Sequence, residues 1–173
     1  DSVAALVPRS EIEGEILARD RVRSSIARRL GMDVGGLVPA DRDVEGIVEV
    51  MLDATGNFEQ PLTEDRLLDW HAALFPTGRS GMRKIIVGQW RDDSDGPMQV
   101  VSGPMGREKI HYRAPPADRL SREIARFLEW FASPGSIDPL LSAGLAHLWF
   151  VTLHPFDDGN GRIARAIADM ALA

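Results

Sequence analysis

The sequence contains no cysteine, which excludes disulfides and thiolate metal sites and fits a reducing compartment such as the cytoplasm. A positive excess is missing too: 20 basic residues face 26 acidic ones, for a net charge of -6. Broad electrostatic binding to nucleic acid or to an anionic membrane is therefore not expected, although a local basic site is allowed. No run approaches the roughly 20 apolar residues of a membrane helix, and no signal peptide is visible. Internal repeats and low-complexity tracts are absent. The chain begins at Asp1 without a methionine and stops at Ala173 inside an apolar helical run, so we read it as a piece of a longer protein. Its 173 residues, 44% of them hydrophobic, suffice for one domain with a real core and are too few for two large ones.

What is present is mainly helical periodicity. Ile12, Ile16, Val22, Ile26 and Leu30 share one arc at about 100° per residue, predicting a helix over 10–30 whose interspersed arginines form a solvated face. Gly35-Gly36 and Pro39 mark a linker, so the chain divides at residues 1–40 and 41–173. Further helices are expected over 41–55, 63–75 (capped by Thr63), 117–132 and 139–153, with Asp138 and Pro139 starting the last of these. That helix is apolar all round, which predicts burial on every side and a central place in a helical bundle. A final helix starts near Gly161. Between 81 and 113, the runs Ile85-Ile86-Val87 and Val100-Val101 and the turn signals around Gly96 and Gly103 predict two or three short strands in a hairpin. The fold class is thus mainly all-α with a small β-hairpin.

One stretch concentrates chemistry: His154-Pro155-Phe156-Asp157-Asp158-Gly159-Asn160-Gly161-Arg162-Ile163-Ala164-Arg165. A glycine-rich turn feeding a helix N-terminus presents backbone N–H groups and the positive dipole end to an anion. Asn160 can cap that helix and donate its amide. Arg162 and Arg165, three residues apart, are helix-face neighbours with guanidinium forks suited to phosphate. Asp158 is a hard oxygen ligand of the kind Mg²⁺ takes, and His154 is a proton acceptor near neutral pH. Together these parts point to phosphoryl or nucleotidyl transfer. His71 reads as structural, His147 as a hydrogen-bonded core residue, His111 as a hairpin residue with an approach to substrate as its alternative, and the four tryptophans as packing.

This stretch resembles the signature of Fic-domain proteins, His-x-Phe-x-(Asp or Glu)-Gly-Asn-Gly-Arg-x-x-Arg, and matches it at every fixed position. Residues 23–31 and 70–76 are similar to a bacterial Fic subgroup with an additional N-terminal domain. The resemblance implies an α-helical Fic fold and transfer of AMP from Mg-ATP to a Tyr, Ser or Thr hydroxyl of a target protein. It implies that His154 deprotonates the hydroxyl, Phe156 anchors the loop in the core and Asp158 holds Mg²⁺. Gly159, Asn160, Gly161 and Arg162 would bind the nucleotide phosphates, with Arg165 on the γ-phosphate. A β-hairpin flap would hold the target by strand addition, and 98–102, with Met98, Val100 and Val101, is its candidate edge. Many such proteins carry an inhibitory helix reading (Ser or Thr)-x-x-x-Glu-(Gly or Asn). Here Glu13-Gly14 supplies the Glu-Gly of that pattern, while Arg9 stands at the first position with Ser10 beside it. Residues 1–40 would then be an inhibitory helix and linker, with Glu13 engaging Arg165 against the γ-phosphate. Glu13 also has capping-box spacing from Ser10, and that reading stays open. So do removal of AMP on the same site, a module that only senses ATP, and association of identical copies.

Overall fold

The computed structural model describes residues 19–29, 31, 42–104, 107 and 109–173. Among these residues the elements are α1 (Arg19–Arg29), α2 (Arg42–Gly56), α3 (Glu64–Leu74), β1 (Arg79–Ser80), β2 (Arg83–Lys84), β3 (Gln99–Ser102), β4 (Lys109–Arg113), α4 (Ala117–Ala132), α5 (Pro139–Leu153) and α6 (Asn160–Leu172). The fold is mainly helical, as the periodicity predicts. The part of the first expected helix before Arg19, the linker at 35–39 and Glu13 lie outside the described residues. None of the described helices is long and apolar enough to cross a membrane.

Apolar stripes explain the packing. Val44, Ile47, Val48 and Ala54 of α2 are buried with Leu67, Trp70 and Leu74 of α3. Gly46 lets these two helices touch: a Cβ there would stand 1.9 Å from the Ala73 carbonyl oxygen. The α2–α3 turn is tied by Arg66. Its Nε reaches Asp53 at 2.7 Å, and its other nitrogens donate to the carbonyls of Asp53, Asn57 and Gln60. Trp70 Nε1 donates to the same Asp53 carboxylate at 2.7 Å. Burial pushes the Asp53 carboxyl up, but hydrogen bonds from Asn57, Arg66 and Trp70 outweigh it and leave it below its ordinary value. The arginines of α1 are not all solvated as expected. Arg28 pairs with Glu45 at 2.8 Å and Arg29 with Glu49 at 2.9 Å, joining α1 to α2.

Helices α4 and α5 occupy the ranges expected from sequence. Thr63 Oγ1 caps α3 through the Arg66 N–H, and Asp138 Oδ1 caps α5 through Leu140 and Leu141. Phe127 of α4, Phe150 of α5 and Phe156 of the following loop make a chain of aromatic contacts, with centroids 5.8 and 6.4 Å apart. Helix α5 departs from expectation in one respect. It buries Ser142, Ala143, Ala146, Phe150 and Leu153, while Leu140, Leu141, Leu145 and Leu148 are exposed, Leu140 at 70%. The helix packs along one stripe because small residues occupy that stripe and admit close approach of its neighbours.

The 79–113 region forms two antiparallel pairs, β1 with β2 and β3 with β4. In the second pair Val100 faces Tyr112 and Val101 faces Ile110, so the register skips His111, the mark of a β-bulge. The Ile85-Ile86-Val87 run is not a strand. Ile85 is buried in the core, and the Ile86 N–H donates at 3.0 Å to the Asp157 carboxylate. The Ile86 N–H is thus committed to a loop far along the chain, while the Ile85 N–H donates to the Gly78 carbonyl at 3.2 Å at the end of the β1–β2 pair.

Candidate active site

The loop between α5 and α6 carries the reactive residues, and its backbone is pinned from several sides. His154 closes α5 in the left-handed region, at φ 47° and ψ 55°. Its N–H completes the helix to the Phe150 carbonyl at 3.1 Å, and its Nδ1 lies 3.3 Å from the Val151 carbonyl. A carbonyl only accepts, so this contact places the ring proton on Nδ1 and the basic lone pair on Nε2. Arg91 Nε donates to the His154 carbonyl at 2.8 Å.

Asn160 is buried and starts α6. Its Oδ1 accepts from the Phe156 N–H at 3.0 Å and its Nδ2 donates to the Phe156 carbonyl at 2.8 Å. The helix cap expected of Asn160 belongs to Gly159 instead, at φ 80° and ψ 0° with no side-chain bond. The Asn160 side chain is a brace across the loop, because both ends of its amide match the buried peptide of Phe156.

Asp158 is held by both oxygens. Oδ1 accepts from the Gly159 N–H at 2.6 Å, and Oδ2 accepts a short bond from the Ser80 hydroxyl in β1. Beneath it, His71 of α3 is fully buried and stacked on Phe156, with ring centroids 4.0 Å apart and planes within 2°. Its Nδ1 accepts from the Gly88 N–H at 3.2 Å, so Nε2 carries the proton and donates to the Asp158 carbonyl at 3.2 Å. Burial lowers the His71 pKa to about 4, and the nearby Arg162 charge adds to this against the pull of the Asp158 carbonyl and of Asp157 and Asp158. His71 is therefore neutral at physiological pH, a structural role as expected.

Arg162, on the first turn of α6, lies with Cζ 4.7 Å above the Phe75 ring, a cation–π seat. Beside it is a pocket of about 170 Å³ lined by Phe75, Thr77, Arg79, Ser80 and Arg162 among others. Arg165 is half-buried one turn further along.

Comparison with known proteins decides what this arrangement belongs to. Residues 61–172 match the profile of the Fic/DOC family. The chain belongs to the Fic/DOC family. Residues 3–32 match a second profile, a domain of unknown function (DUF4172). A "Uridine 5'-monophosphate transferase" of Xanthomonas campestris pv. campestris (strain 8004) is 29% identical over 125 residues, 65% of this chain and 21% of that protein. A "Protein adenylyltransferase Fic" of Drosophila willistoni is 28% identical over 165 residues, 93% of this chain and 30% of that protein. A Fic domain containing signaling protein from Bacteroides thetaiotaomicron has the same fold, with a TM-score of 0.67 at 22% identity, over 95% of this chain and 59% of that one. The chain thus spans less than a third of the length of the curated relatives it matches.

Within this Fic domain His154, Asp158 and Gly159 lie on the loop and Arg162 on the first turn of the helix that follows it. The flap residues sit apart on the exposed hairpin: Val100 and Val101 are in β3 and about half exposed. Met98 precedes that strand, and its carbonyl accepts from Ala114 at 3.0 Å, closing the hairpin's base. Tyr112 ties the hairpin to α5, its hydroxyl donating to the Thr152 carbonyl at 2.7 Å. His111 is exposed and bonded to Ser102 at 2.6 Å, and His147 is half-buried on α5 instead of lying in the core. Sequence reasoning did not find Ser80, Arg91 or Asp157. Each has its partner about 60 to 80 residues away, so spacing within the sequence does not announce the role.

Proposed function

We propose that this chain is the catalytic part of a protein adenylyltransferase. In this reading a hydroxyl oxygen of a target protein attacks the α-phosphorus of ATP. The bond from that phosphorus to the oxygen bridging to the β-phosphorus breaks, pyrophosphate leaves, and the hydroxyl proton passes to His154 Nε2. The observation that carries the reading is a His154 protonated on Nδ1 where α5 ends, joined by the loop that bears Asp158 to the start of α6, with Arg162 on the first turn of that helix. Backbone N–H groups at Asn160 and Gly161 offer an anion cradle, the Gly159 N–H being already taken by the Asp158 carboxylate, and Arg162 adds a guanidinium fork for the β- and γ-phosphates.

Mg²⁺ suits the site as a partner of the nucleotide. No group of three or more acidic, His or Cys side chains is positioned to cage a metal among the described residues. Mg²⁺ needs no such cage, since it commonly takes one or two carboxylates plus substrate phosphates and water. Asp158 would supply the carboxylate, and the bound ion would neutralise phosphate charge. Ser80 fixes the orientation of that carboxylate. In the same reading the open edge of the β3–β4 hairpin receives the target as an added strand around Val100 and Val101. Glu13 restrains the enzyme by competing with the γ-phosphate for Arg165.

The test uses wild-type protein and Glu13→Gly with α-labelled ATP or UTP and a lysate of potential targets. Weak labelling of protein by wild type, strong labelling by Glu13→Gly and none after adding His154→Ala is the expected pattern. Equal labelling with and without Glu13 would remove the restraint from the proposal. Label arriving only from γ-labelled ATP would replace nucleotidyl transfer with phosphorylation. The relative named as a uridine 5'-monophosphate transferase is the reason for including UTP, and preference for it would change the nucleotide while leaving the chemistry in place.

A further inference from the structure

We infer that Arg91 is a positioning residue for His154, an assignment that rests on the proposed role of His154 as general base. Arg91 belongs to no helix or strand and is 3% exposed. A buried guanidinium is costly unless each direction it points finds an acceptor. Here it does. Nε donates to the His154 carbonyl at 2.8 Å, Nη2 to the Pro115 carbonyl at 2.5 Å, and Nη1 pairs closely with the Asp93 carboxylate. The Arg91 backbone N–H donates to the Pro155 carbonyl at 2.9 Å. Asp93 in turn accepts from the N–H of Ala117, the first residue of α4, at 2.7 Å. The peptide that carries the base is thereby bolted to the start of a different helix.

His154 needs such a fixture. Its left-handed backbone is unfavourable for a residue with a Cβ, and a C-cap turns its carbonyl out of the helical ladder. Arg91 supplies a charged donor to that carbonyl, the strong kind of hydrogen bond. The phosphate cradle is held by other ties, from Asn160, Ser80 and His71. Loosening Arg91 therefore displaces the base and leaves the cradle standing. A reacting group misplaced by about 1 Å costs on the order of 100-fold in rate.

The experiment adds Arg91→Lys or Asp93→Asn to Glu13→Gly protein, with thermal unfolding to establish that each variant folds. Lysine keeps the charge but cannot serve three acceptors in one plane. The expected result for Arg91→Lys is a fall in kcat of about 100-fold with KM for ATP within about threefold of the parent. Asp93→Asn keeps an acceptor for Ala117 while weakening the grip on Arg91, and about a tenfold fall in kcat at unchanged KM is expected. A folded Arg91→Lys with parental kcat, or one whose KM for ATP rises in step with the loss, overturns the assignment. If Arg91→Lys does not fold, Asp93→Asn decides by the same split. Should the Glu13→Gly parent itself transfer no nucleotide, the reading of the reaction fails separately. The assignment is then decided by the ring proton–carbon spectrum: movement of the His154 signals with those of His71 in place supports it, and unmoved His154 signals refute it.

Discussion

Replacing Gly159 with alanine tests how the cradle is built. Gly159 has φ of 80°, where a Cβ costs about 1–2 kcal/mol. That Cβ would also stand 2.8 Å from Cε2 and 3.3 Å from Cζ of Phe75. Phe75 is buried, so its ring must be driven into packed neighbours, and overpacking of this kind costs about 1–3 kcal/mol. The two effects together amount to about 2–5 kcal/mol. At about 2–4 °C per kcal/mol for a chain of this length, Tm should fall by about 4–20 °C in a calorimetric scan. A second readout comes from Arg162, which rests on the Phe75 ring. Moving the ring moves the guanidinium, so nucleotide affinity should fall by at least about tenfold, the equivalent of 1.4 kcal/mol. Gly144 is the control. It lies inside α5, and a Cβ added there would meet nothing within 4 Å, so Gly144→Ala should raise stability by about 0.5–1 kcal/mol. Unchanged Tm and unchanged nucleotide binding in Gly159→Ala would refute the account of the loop.

Stability should depend on pH through His71. The unfolded chain takes up its proton near pH 6.5 and the folded chain only near 4, so the contribution is complete above pH 6.5 and is lost as pH falls to about 4. At 1.36 kcal/mol per tenfold in proton affinity this amounts to about 3 kcal/mol, and urea titrations of wild type and His71→Asn should show the slope only in wild type. Asn160→Ala leaves the Phe156 peptide unpaired at both ends inside the core, with an expected loss of about 2–4 kcal/mol in denaturant unfolding. Asp53→Ala strips partners from Arg66 and Trp70, and because that carboxylate is partly solvated the cost should be about 1–2 kcal/mol. Glu45→Gln on the exposed Arg28 pair should change stability by less than about 1 kcal/mol by the same measurement.

Where local chemistry decides structure, the sequence was readable. Pro115 and Pro116 before α4, Ser133-Pro134-Gly135 after it, and Asp138-Pro139 at the start of α5 mark boundaries with residues whose backbone demands are intrinsic. The reactive stretch was legible for a related reason: its residues are consecutive, so spacing alone gathers them. Legibility fails where a residue's partner is remote. Ile85-Ile86-Val87 has the composition of a strand, yet the N–H at its centre, that of Ile86, serves Asp157. The leucines of α5 satisfy the rule that an all-apolar helix is buried, yet their face is open among the described residues, because periodicity cannot say which side neighbours will occupy. Arg91 offers no pattern, since it joins carbonyls 24 and 63 residues away.

A turn containing Gly159 and Gly161 has little stiffness of its own. Its rigidity comes from the Asn160 side chain within the loop and from Asp157, His71 and Ser80 across the fold, while Arg91 holds the His154 end. These residues are a frame, and His154 Nε2, Arg162 and the α6 N–H groups are what the frame presents. A site whose parts must stay within about 0.5 Å depends on such support. Substitutions in the frame should therefore lower stability and rate together. Substitution of His154 or Arg162 should lower rate with a smaller change in stability, because both residues are only half-buried and the frame's hydrogen bonds run through other side chains. Measuring both quantities across one set of variants separates the frame from the chemistry it holds.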